Sequence, residues 1–203
     1  MAIISNGTTI ADAGAFSVSL GSMTHIKTLT ASSSSTLSFV HGASSVVLNS
    51  TYPLYRFEFI NIHPSTTDSS TDLVVNYTTD GSNFNVNQTS TFFGGYSSES
   101  GGGGLEYYAA LDAANDTNAG LADNAYAGND ASISGSLTLF HPSSSTFVKH
   151  WTADLSTKQN GTQHFTHPTG YANTTGAITG VQFKFLSGNL SAGKIKLYGI
   201  KDS

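Results

Sequence analysis

Short runs in which every second residue is apolar recur along this chain, and they constrain its fold more than any other feature. In YRFEFINI, Tyr55, Phe57 and Phe59 fall on one side of an extended backbone and Arg56 and Glu58 on the other, until Ile60 and Ile62 make both sides apolar. GVQFKF repeats the pattern, with Val181, Phe183 and Phe185 opposite Gln182 and Lys184, and in ISGSLTLF the residues Ile133, Leu137 and Leu139 share a side. A period of two lays an apolar face along a strand, whereas a helix needs a period near 3.6. The residue supply agrees: Thr, Val, Ile, Phe and Tyr are plentiful, and the strong helix formers Lys, Glu, Arg and Gln are scarce.

Gly, Ser, Asn and Pro clusters cut these runs into strands. THIKTLT (Thr24 to Thr30) and TLSFV (Thr36 to Val40) read as an early hairpin across a serine turn. Pro64 ends the strand that holds Tyr55 by denying the ladder a donor. DLVVNYTTDGSNFNVN reads as a hairpin about Asp80-Gly81, a pair that supplies positive φ angles. STFFGG, TFVKHWT and TQHFTH follow as further strands, and Ile178 to Leu186 with Lys194 to Ile200 reads as a closing hairpin. Between Glu99 and Asp130 the alternation weakens. There the Gly and Asn content predicts a long surface loop with a short embedded element, Leu105, Tyr108, Ala109 and Asp112 having helical spacing. FINIHPSTTDSSTDLVV and LTLFHPSSSTFVKHW share an order of strand, His-Pro, hydroxyl-rich turn and strand, which hints at two related halves.

Roughly ten short strands with no helical run predict an all-β domain, an antiparallel two-sheet β-sandwich of jelly-roll type, with an up-and-down barrel as the alternative. The division expected is an N-terminal arm over 1–22, small, polar and poorly patterned, and a sandwich domain over 23–203.

Charge narrows the partners. Only 10% of residues are charged, against about 25% in ordinary domains, while Ser and Thr fill 55 of 203 positions, so the surface is polar without being ionic. No Lys or Arg occurs from Phe57 through Val148, where ten of the thirteen acidic residues lie, whereas Lys149, Lys158, Lys184, Lys194, Lys196 and Lys201 crowd the last quarter. Such a polarised map suits contacts between adjoining subunits. Arg56 is the one arginine, which argues against nucleic acid. The absence of cysteine excludes disulfides and thiolate metal sites. The first residues lack a basic stretch and a long apolar run, and no segment has the length of a membrane helix, so the expectation is synthesis in a cytoplasm without membrane insertion. Eight Asn-x-Ser/Thr triplets read, in that setting, as turn and strand-edge chemistry.

Reactive patterns are weak. DTNAG, from Asp116, starts like a calcium loop, but its glycine comes one position early and Ala127 stands where a bidentate Glu belongs. The seven histidines are scattered, no G-x-S-x-G elbow exists, and GGGGLEYY lacks the Lys and Ser/Thr of a phosphate loop. Glu106 and Asp112 form the one carboxylate pair worth testing for glycoside hydrolysis. The expectation is therefore no enzyme, no cofactor and no metal. Tyr96, Tyr107 and Tyr108 remain as candidate contacts to a glycan or a protein partner, since such rings combine apolar area with a polar handle; Trp151 reads as core packing.

Four pieces, MAIISNGTTIADAGAFSVSL, YPLYRFEFINIHPSTTD, SGSLTLFHPSSSTFVKHW and GYANTTGAITGVQFKFLSGNLSAGKIKLYGIK, cover a little under half of the chain. With them it resembles the small jelly-roll virion proteins of tailed bacteriophages, marine ones especially, whose members often end in a similar G-x-I-x-L-Y-G strand. The resemblance implies a homo-oligomer, expected as a trimer, displayed on the virion as a capsid decoration or cement subunit and partnered by the major capsid protein or by tail proteins. Its alternative is a tail or fibre-associated adhesin that binds a host surface glycan. It carries no catalytic residues onto this chain.

Overall fold

The computed structural model describes residues 22–66 and 71–202, together with short strands at 3–5, 8–12 and 15–16. In chain order the strands are β1 (Ile3–Ser5), β2 (Thr8–Asp12), β3 (Ala15–Phe16), β4 (Met23–Thr30), β5 (Leu37–Val40) and β6 (Leu54–Pro64). They continue with β7 (Leu73–Thr78), β8 (Gln88–Thr91), β9 (Phe93–Ser98), β10 (Gly103–Tyr107), β11 (Ala114–Asp116) and β12 (Ala119–Ala122). The last are β13 (Ile133–Phe140), β14 (Lys149–Lys158), β15 (Thr162–Thr166), β16 (Thr169–Ala172), β17 (Gly180–Phe185) and β18 (Leu190–Ile200). A single 3-10 turn, Ala109–Leu111, is the only helical element among the described residues.

Two antiparallel sheets carry the core. The larger runs β10-β9-β15-β14-β13-β6-β18-β4, and β16, β8 and β11 branch from β14; the smaller runs β12-β7-β17-β5. The branch exists because two strands are broken. Pro168 has no N–H to give the ladder, so β15 pairs with the end of β14 while β16 pairs with its beginning. On the next strand the break falls at Phe92, whose N–H is taken by the Asp112 carboxylate at 2.7 Å. β1, β2 and β3 form a small sheet of their own, and the remainder of the expected arm over 1–22, except Ser22, lies outside the described residues.

Aromatic rings join the layers. Phe57 and Phe59 of β6 and Phe39 and Phe183 of the smaller sheet are buried, and they meet edge to face with centroids 5.3 Å apart for Phe39 and Phe57, 5.2 Å for Phe57 and Phe183 and 5.0 Å for Phe59 and Phe183. Each such ring contributes about 1.5–3 kcal/mol by leaving water, with a further gain from the edge-to-face geometry. Trp151, Leu137 and Leu139 extend this interior, as their alternation predicts.

Several expected pairings differ. β17 and β18 do not form a hairpin: β17 lies between β7 and β5 in the smaller sheet, and β18 between β6 and β4 in the larger. β4 and β5 likewise belong to different sheets. At Asp80-Gly81 the turn forms, Gly81 having φ +78 and the Asp80 carboxylate accepting the N–H groups of Ser82 and Asn83, but the chain then leaves the sheet. One bond, from Val86 N–H to the Tyr77 carbonyl, is what remains of that hairpin. The two His-Pro segments are not equivalent, because the first crosses from β6 to β7 in the other sheet whereas the second joins the paired neighbours β13 and β14. The predicted loop from Glu99 to Asp130 contains β10, β11 and β12, the last with all four residues buried.

Candidate interaction surface

Alternation along β9 sends Phe92, Gly94 and Tyr96 one way and Phe93, Gly95 and Ser97 the other; of the residues in the second set, Phe93 and Ser97 are exposed. Register then builds a surface from three strands. Leu105 of β10 and Phe165 of β15 both stand opposite Gly95, one on each side, and Tyr107 stands opposite Phe93. Gly95 has no side chain to fill the row, and the Leu105 Cδ2 lies only 3.1 Å from where its Cβ would be. The result is a strip of large apolar side chains facing solvent: Leu105 is 79% exposed, Tyr107 62%, Phe165 47% and Phe93 43%. On a monomer's surface such clustering marks an interaction site, whereas single exposed apolar residues are ordinary.

Polar groups rim the strip. The Tyr107 hydroxyl donates to the Asp112 carboxylate, a bond that is the main reason the phenol is held above its usual pKa. His167 Nδ1 lies 2.5 Å from Asp154 Oδ1. Asp112 thus serves twice, holding the Tyr107 ring and closing the break at Phe92.

The three tyrosines singled out from the sequence do not converge. Tyr107 points outward into the strip. Tyr96, three residues beyond Phe93 on β9, turns to the opposite side and stacks on His164, centroids 5.7 Å apart. Tyr108 meets the buried ring of Phe92 edge to face at 5.8 Å. Sequence reasoning missed Phe93, Leu105 and Phe165; FFGGY and HFTH do alternate, but only the register shows that their outward residues share a row.

Under Tyr96, Asp123 follows β12 and reaches His164 of the other sheet, Nδ1 to Oδ2 3.5 Å. Burial pushes the Asp123 carboxyl up, but the neighbouring His164 ring, together with the Asp123 backbone N–H and the Asn124 side-chain amide, outweighs burial and holds it below the usual carboxylate range. Nearby Asp72, whose Oδ1 accepts the Asn124 N–H at 2.8 Å, is raised to about 6 by burial, with the Asp123 charge adding to it.

A second exposed feature is an open groove of about 720 Å³ at the turn between β13 and β14, lined by Phe140, His141, Ser144, Phe147 and His150, with Phe147 73% exposed. Catalytic geometry is sparse. Glu106 alternates to the other side of β10 from Tyr107, which holds Asp112, so the one candidate carboxylate pair is split between faces. Ser191 Oγ lies 2.8 Å from His63 Nδ1, but the other ring nitrogen faces the Gly128 carbonyl at 3.1 Å and the Ser191 hydroxyl also reaches the carbonyls of His63 and Pro64. That arrangement fastens β6 to β18. No group of three or more His, Asp or Glu that could hold a metal occurs among the described residues, and no helix there is long and apolar enough to cross a membrane.

No family model, curated protein or solved structure matches this chain.

Proposed function

We propose that this chain is a structural subunit of a virus particle, a sandwich of jelly-roll type mounted on the surface of a tailed phage as capsid decoration or cement, and that it works by binding and not by catalysis. The observation that carries the binding part is the solvent-facing strip of Phe93, Leu105, Tyr107 and Phe165 on a protein that already buries a large apolar core elsewhere. Side chains of that size left outside a closed core serve contacts with another molecule. The viral part rests on the resemblance of the four sequence pieces quoted above. A low-charge, hydroxyl-rich surface fits a subunit held in a dense array, where many modest contacts add through multivalency. Repeated crossing between sheets, as at β6 to β7 and β17 to β18, supports the jelly-roll type over an up-and-down barrel.

The test is location. Antibodies raised against the purified chain, applied as immunogold to particles from an infected lysate, are expected to label the heads in a regular array; particles that carry none of the chain overturn the viral reading. The second reading, a tail or fibre adhesin for a host surface glycan, draws on Tyr107, where an exposed ring sits beside an acceptor carboxylate. Glycan-array binding that disappears in Tyr107→Ala, with label on tails, decides for that reading.

A further inference from the structure

Strand edges show which surfaces a β protein protects. The edge strand β4 of the larger sheet carries Lys27 and a register shift against β18. β11 has three residues with a shift, β12 has four buried residues with a shift, and β5 has four residues. β10 has none of these devices. Its five residues, Gly-Gly-Leu-Glu-Tyr, pair with β9 in unbroken register and include no Lys and no Pro. Flanking bonds fix which of its backbone groups are free: Ser98 N–H donates to the Gly102 carbonyl and Tyr108 N–H to the Phe92 carbonyl. Antiparallel bonding alternates, so even-numbered residues face β9 while the N–H and C=O groups of Gly103, Leu105 and Tyr107 point away from the sheet.

The geometry points to a second copy of this chain as the partner of that edge, paired β10 to β10 in antiparallel fashion about a two-fold axis at Leu105. The strand is self-complementary in this register. Leu105 meets its own counterpart, Tyr107 meets Gly103, and Glu106 meets Gly104, so the single charge of the strand never faces its like. The outward groups of Leu105 then exchange two N–H to C=O bonds with those of the other copy, and the two exposed strips join into one across the axis. An isologous pair uses up both edges and closes, which removes the open template for further strand addition. The pairing makes a dimer the assembly unit, in place of the trimer expected from the resemblance, and does not depend on where the subunit is mounted.

Absence of native cysteine makes the register directly readable. Residues that exchange both bonds across an antiparallel pair have Cα atoms about 5.5 Å apart, inside the range of about 4.4–6.8 Å that a disulfide spans. Leu105→Cys is therefore expected to oxidise to a covalent dimer much faster than Tyr107→Cys or Phe147→Cys, and the unmodified full chain to sediment as a dimer in the micromolar range. Leu105→Lys, with an unchanged circular dichroism spectrum, is expected to sediment as a monomer, while Leu186→Lys at another exposed position stays dimeric. An unmodified chain that is monomeric throughout, a Leu105→Lys variant that still dimerises, or equal oxidation rates at positions 105 and 107 each overturn the proposal. So does dimerisation that is lost when residues 1–21 are removed while Leu105→Cys fails to cross-link, since the N-terminal segment would then be the occupant of the edge.

Discussion

Asp72 sits where the chain enters β7, its carboxylate accepting one backbone N–H from Asn124 while burial and the neighbouring Asp123 charge disfavour ionisation. A carboxyl raised from 3.8 to about 6 in the folded protein contributes stability that is fully present below the unfolded value and is lost as pH rises through the folded one. At neutral pH the folded state thus holds a charge it would rather not carry. The cost is about 1–2 kcal/mol once the solvent-facing side of the group is allowed for. Asp72→Asn keeps the acceptor and removes the charge. Urea unfolding at pH 7.5 is expected to show the variant more stable by roughly that amount, and the difference to close near pH 4; equal stability at both pH values contradicts the assignment. Nothing in TDLVV distinguishes this Asp from an ordinary turn acid, because its neighbour Asp123 is 51 residues away in the chain.

At the scale of elements, alternation reported faces well and partners badly. Val181, Phe183 and Phe185 point inward as the sequence predicts, as do Tyr55, Phe57 and Phe59. Yet β17 and β18 look like a hairpin only because they are consecutive. In a sandwich two consecutive amphipathic strands can face each other across the core as readily as they pair within a sheet, and the side-chain period is the same in both cases. Ile62 shows a further limit. Strict alternation puts it with Arg56 and Glu58, but Asn61, at φ +50, inserts a bulge and returns Ile62 to the interior. The bulge needs a matching neighbour, and Gly193 of β18, at φ +106, provides it: a Cβ there would come 2.4 Å from the Asn61 carbonyl oxygen. Gly193→Ala must therefore strain its own backbone and displace the bulge, and is expected to destabilise the fold by about 1–3 kcal/mol or more. A denaturation midpoint within error of the unmodified chain would show that the bulge is not rigidly held.

For the whole molecule, the acidic middle and basic end that looked separate in the sequence meet within one chain, where Lys158 Nζ lies 2.9 Å from Asp130 Oδ2 across a largely solvent-exposed contact. Solvent screens an exposed pair of that kind and leaves it little net effect, so the apolar interior between the two sheets supplies most of the cohesion. Among the described residues, β1, β2 and β3 pair with one another and with no strand of the two larger sheets, while the larger sheet begins with β4, whose Met23 pairs with Ile200, and the Ser22 carbonyl accepts the Lys201 N–H at 2.8 Å. If the sandwich is complete from Ser22 onward, removing residues 1–21 leaves every pairing of the two larger sheets in place. A domain of this size shifts in melting temperature by about 2–4 °C per kcal/mol. The shortened chain is accordingly expected to melt within about 2 °C of the full one by circular dichroism, with the same β spectrum. A fall of about 8 °C or more would mean that the first twenty-one residues pack against the sandwich, and the division of the chain near residue 22 would have to be abandoned.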